Sequence, residues 1–87
     1  MNTRNVEGTD YKVRPITARE MMDLDTQGFD GIAGLVKLAY FATVKPDGTR
    51  QWATEEEAEN APWPTIKACA DAALIVNGLT DEGDAGN

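Results

Sequence analysis

The sequence predicts a mainly α fold: one small helical domain of three to four helices, with a minor two-stranded β element and disordered termini. Three observations predict it. First, Thr17-Ala18-Arg19-Glu20 and Thr54-Glu55-Glu56-Glu57 are capping boxes. In each, a threonine and the glutamate three residues on satisfy two backbone donors at the start of a helix. Second, FDGIAGLVKLAYFATV (29–44) is the longest run with few charges, interrupted only by Asp30 and Lys37. Third, Asn77-Gly78-Leu79 supplies a glycine stop after a helical run. The domain spans 10–79, between a flexible segment at 1–9 and a flexible tail at 80–87. Both end segments are polar, small or charged and have little to bury.

From the N-terminal side, YKVRPI (11–16) alternates Tyr11 and Val13 with Lys12 and Arg14, the period of an extended segment. Pro15 holds Arg14 extended and makes this an edge strand at best. The first helix follows over 17–25, with Ile16 and Met21 placed as a hydrophobic staple. Met21, Met22 and Leu24 form its buried side, and Gly28 marks the break. The central helix covers 30–44, with Asp30 at its start, where the positive helix end favours an acid. Ile32, Leu35, Val36, Ala39, Ala42 and Thr43 make one apolar face at helical spacing. Leu38 and Phe41 point elsewhere, so apolar surface wraps most of the way round. A helix of that kind is buried or has a partner outside its own chain. Gly31 and Gly34, each about 1 kcal/mol poorer than alanine in a helix, either weaken the first turn or admit another backbone.

Lys45-Pro46-Asp47-Gly48-Thr49 stops the central helix in a tight turn. Arg50 to Ala53 is then extended and pairs with Tyr11 to Arg14, a ladder that is marginal unless packed on helices. The third helix is short and acidic, over 54–60, and Ala61-Pro62 ends it. The fourth runs over 64–77. Trp63, Ile66, Ala70 and Ala73 line one face, with Cys69 and Val76 beside it, and Leu79 folds back on Leu74 or Ile75 at the glycine stop.

Charge and composition exclude several functions. Fifteen acidic against eight basic residues give a net charge of −7. Phosphate binding needs the opposite sign, so nucleic acid and anionic membrane are disfavoured partners. The apolar run is too short and interrupted to cross a bilayer, which takes about 20 apolar residues. The polar N-terminus has no signal-peptide pattern. One cysteine excludes an intramolecular disulfide and fits a reducing cytoplasm. Of the 87 residues, twelve are alanines, so large core side chains are few. A single core of this size supplies only about 3–5 kcal/mol, and self-association is an expected remedy.

Catalytic chemistry has little to stand on. The chain has no histidine, the commonest general base and metal ligand. Cys69 lies mid-helix among alanines with no basic neighbour to lower its pKa, and reads as a packing residue. Glu55, Glu56, Glu57 and Glu59 point in different directions on a helix and do not converge on one cation. Asp47-Gly48 resembles a fragment of a calcium loop, but the remaining ligand positions are absent. No metal site and no cofactor are expected. Trp52 and Trp63 either anchor the extended segment and last helix to the core, or one of them is a hot spot for a partner. Met21-Met22 carries the same two readings, since methionine fills cores and suits adaptable binding surfaces.

YKVRPITAREMMDL, a mostly apolar helix, VKPDGTRQWATEEEAENAP and a final helix ending in VNGL occur in that order. This order resembles the tail assembly chaperones of long-tailed bacteriophages. The likeness covers about 11–79 and rests on the succession of features rather than on one motif. It implies a small, mostly helical, non-enzymatic protein that tends to self-associate. Such proteins bind the long, helical and aggregation-prone tape measure protein until tail tube subunits polymerise around it. The resemblance further implies residence in the host cytoplasm and absence from the finished particle. It transfers no catalytic or binding residue. The chain's own candidates for partner contact are Leu35, Leu38, Tyr40, Phe41 and Trp63, on the central and last helices. Two other readings remain at this stage: a minor structural virion protein such as a connector or tail-completion protein, or an acidic inhibitor.

Overall fold

The computed structural model describes residues 3–6, 8–27 and 31–79. The elements run β1 (Arg4–Asn5), β2 (Lys12–Val13), α1 (Ala18–Gln27), α2 (Ile32–Ala42), β3 (Thr43–Val44), α3 (Glu55–Glu59) and α4 (Trp63–Val76). The fold is mainly helical with a small antiparallel sheet of order β1-β2-β3. Expectations about Gly28, Phe29, Asp30 and the tail at 80–87 lie outside the described residues.

The local signals of the helix ends operate as their chemistry requires. At α1 the Glu20 carboxylate accepts from the Thr17 amide at 2.9 Å, and the Glu20 amide donates to Thr17 Oγ1 at 3.2 Å. At α3 the Thr54 hydroxyl accepts from the Glu57 amide at 3.2 Å, while Glu57 Oε1 reaches the Ala53 amide at 3.4 Å. After α4, Gly78 adopts φ +67°, where a Cβ is disfavoured. The Leu79 amide donates to the Leu74 carbonyl at 2.8 Å and that of Gly78 to Ile75 at 3.1 Å. These are the two bonds of a Schellman stop. Gly48, at φ +93°, closes the turn in which the Lys45 amide donates to the Thr49 carbonyl at 2.7 Å. Asp47 Oδ1 accepts from both the amide and hydroxyl of Thr49.

The sheet differs from expectation in three ways. It has three strands, because β1 joins through Arg4↔Val13 and Asn5↔Lys12. Val6, just past β1, is 1% exposed and belongs to the core. Arg4, Asn5 and Val6 of segment 1–9 thus join the sheet and the core. Second, β2 is the central strand and not an edge. Pro15 lies beyond its paired residues, so its missing amide costs the ladder nothing. Third, the strand beside β2 is Thr43–Val44, not Arg50 to Ala53. These β-branched residues leave the helix at once for extended backbone. Arg50 meets Val44 through a single bridge.

α2 packs most extensively against α4, and also against α1 and α3. Its buried residues are Gly34, Leu38, Ala39, Phe41 and Ala42. The predicted apolar face is thus only half right. Ala39, Ala42 and Thr43 are inside, whereas Ile32 is 67% exposed and Leu35 and Val36 are half-buried. α1, α3 and α4 pack on α2 and leave Ile32 and Ala33 at its start exposed. On α4, Ile66, Cys69, Ala70, Ala72 and Ala73 are buried. Burial pushes the Cys69 thiol pKa up against the opposing influence of the Thr43 hydroxyl. That keeps it a neutral packing group.

One long-range clamp closes the domain. Asn77 Oδ1 accepts from the Ile16 amide at 2.8 Å, and its Nδ2 donates to the Ala73 carbonyl at 2.9 Å. The end of α4 is thereby tied to the linker between β2 and α1.

Candidate interaction surface

The five candidate residues separate into three groups. Leu38 is 0% exposed and Phe41 is 7% exposed. Both lie in the buried core rather than on the surface of the domain. Leu35 and Tyr40 are half-buried and packed against that core. Trp63 stands at the first position of α4, 43% exposed.

Tyr40 and Phe41 are brought together, with ring centroids 5.4 Å apart. The Arg50 guanidinium lies 4.7 Å from the Tyr40 centroid and 5.3 Å from that of Phe41, a cation–π arrangement. Trp63 shares in none of this. The two tryptophans differ in burial. Trp52 is buried and meets Tyr11 edge to face at 6.1 Å, an anchor; Trp63 remains accessible.

Beside this cluster lies a charge network that sequence reasoning missed. Glu20 is 9% exposed. Its Oε2 accepts from Arg14 at 3.0 Å and from Arg50 at 2.8 Å. Burial raises the Glu20 pKa. The Thr17 amide and the two guanidiniums outweigh burial and hold it below the ordinary value. Glu20 was legible as a helix cap but not as an ion-pair centre, since Arg50 is 30 residues away. The network joins α1 to the turn after β3, and its carboxylate is fully engaged in structure.

Two exposed apolar side chains were also misplaced by the sequence reading. Met22 is 68% exposed, not part of the buried side of α1, which is carried by Leu24 with Met21 half-buried. Ile32 is 67% exposed. The signal for Met22 was present in its double reading, as core filler or adaptable surface. Helical phase decides between them, since Met22 lies two residues from buried Leu24 and so on another side.

Among the described residues, clefts open at two places. One, about 340 Å³, lies between β1 and α4 and is lined by Arg4, Asn5, Ala68, Asp71, Ala72 and Ile75. The other, about 520 Å³, is on α1 and is lined by Met21, Met22, Asp23 and Asp25. Among the described residues, no three histidine, cysteine or acidic side chains gather as a metal site. No helix among them is long and apolar enough to cross a membrane. The described surface carries exposed apolar side chains, Met22, Ile32 and Trp63, beside acidic groups.

No protein-family model matches the sequence, and neither curated proteins nor solved structures show a significant match to it.

Proposed function

We propose that this chain is a tail assembly chaperone of a long-tailed bacteriophage. It is a non-enzymatic protein that holds apolar helical segments of the tape measure protein in solution until the tail tube forms around them. The observation that carries this reading is the exposure of Met22, Ile32 and Trp63, large apolar side chains on three helices of an acidic protein. Apolar surface captures an apolar client at about 25 cal/mol per Å² before ordering costs. The net charge keeps the loaded complex soluble. The order of capped helices, turn and glycine stop adds the resemblance to that family. On this reading the protein works in the host cytoplasm and leaves before the virion is complete.

Co-expression with the tape measure protein tests the reading. The client is expected in the soluble fraction only when this chain is present, and the chain is expected to be missing from purified particles. A client equally insoluble in both cases defeats the proposal. A chain retained in particles favours a structural virion protein instead.

Self-association belongs to the same reading, with the exposed Ile32 at the start of α2 as the contact. Light scattering across a concentration series should give a mass above the 9.4 kDa of the monomer. Ile32→Asp should return it to the monomer without loss of helix content. A monomer at millimolar concentration overturns this part alone.

A further inference from the structure

The cleft on α1 combines an apolar floor with charge of one sign. Met21 and Met22 lie four and three positions before Asp25, so one helical turn brings thioethers and carboxylate together. An exposed thioether is flexible and polarisable, and moulds itself to varied apolar shapes. Asp25 stands in the last turn of α1, which contains no basic residue. The carbonyl end of a helix carries partial negative charge and favours cations. Asp25 adds a further negative charge there. A cationic side chain from outside relieves both.

This charge pattern selects the occupant. A second copy brings the same carboxylates, Asp23 and Asp25, to this contact, and like charges facing one another across an interface oppose it. We infer that the α1 cleft docks a basic amphipathic helix. Its apolar residues lie on Met21 and Met22, and a lysine or arginine reaches Asp25 and the carbonyl end of α1. The inference rests on the proposed function only for the identity of the client. There it specifies a bound segment that is apolar on one face and carries Lys or Arg beside it.

The test uses the full chain and three labelled synthetic helices with one shared apolar face. Their polar faces carry lysine, glutamine or glutamate, and binding is read by fluorescence anisotropy. The lysine helix is expected to bind tightest and the glutamate helix weakest. Met22→Ser should weaken the lysine helix about tenfold, as expected for a lost buried methionine contact. Asp25→Asn should weaken it about threefold. Glu59→Gln, an equal charge change at an exposed site on α3, should leave it unchanged. Helix content checks that each variant is folded.

Equal binding of the three helices overturns the inference, as does an equal loss from Asp25→Asn and Glu59→Gln. So does a Met22→Ser chain that binds as before. An oligomer dissolved by Met22→Ser would give the cleft to a second copy and overturn it too. A chain that binds the lysine helix yet leaves the tape measure protein insoluble retains the cleft and defeats the chaperone reading. A Met22→Ser chain that still solubilises the tape measure protein does the reverse.

Discussion

Leu38→Ala is expected to lower the melting temperature by about 8–40 °C, at 4–8 °C per kcal/mol for a domain of this size. Leu38 is among the largest fully buried side chains, at 0% exposure. Truncating a buried leucine costs about 2–5 kcal/mol, through lost transfer energy and the cavity left behind. The total margin of so small a core is about 3–5 kcal/mol. The alanine variant should therefore stand near its unfolding transition at room temperature. Leu38→Asp, which buries a charge, should lose its helical spectrum altogether. Ile32→Ala, on the same helix but 67% exposed, should change stability by less than about 0.5 kcal/mol. Thermal melts followed by circular dichroism compare the three. If Leu38→Asp kept its helix content and changed only its oligomeric state, Leu38 would be an interface residue and the packing of α2 described here would be wrong.

The contrast between Leu38 and Ile32 shows which features were legible in the sequence. The starts of α1 and α3 and the stop of α4 were, because their partners lie three to five residues away: Thr17 with Glu20, Thr54 with Glu57, Leu79 with Leu74. Such bonds depend on local spacing alone. The buried side of α2 was not, because α1, α3 and α4 together set it. A sequence apolar on several sides contains no record of which side they cover. Val6 was missed for a related reason. One valine in a polar segment carries no periodicity, and it becomes core only once β1 pairs with β2. Asn77 read as the residue before a glycine stop; its bond to the Ile16 amide spans 61 positions. In the candidate surface, Trp63 was singled out for its residue type, and it is exposed. Met22 was lost to an assumed helical phase.

Removing the charge of Glu20 should produce the second large effect, and one that depends on pH. Glu20→Ala removes the carboxylate half of the α1 capping box, the acceptor of the Thr17 amide, and leaves Arg14 and Arg50 without their shared carboxylate. Breaking a buried pair costs about 3–5 kcal/mol. The two arginine side chains are 25% and 35% exposed, however, so water restores part of their solvation. The expected cost is accordingly about 2–3 kcal/mol. Glu20→Gln keeps the shape and an acceptor for the Thr17 amide, and isolates the charge. Burial alone would raise the Glu20 pKa, but the Thr17 amide, Arg14 and Arg50 together lower it from 4.5. Below that value the unfolded chain takes up the proton more readily than the native one, so stability falls with pH. The advantage of the wild type over Glu20→Gln should be complete above about pH 4.5 and should shrink as pH falls through the lower, folded-state value. Asp47, also held low by the Thr49 hydroxyl and amide, titrates in both proteins and cancels in the comparison. Urea unfolding of the two proteins from pH 7 to pH 3 measures the difference directly. A gap that stayed constant over that range would mean that Glu20 holds its place by shape and hydrogen bonding, with its charge contributing nothing.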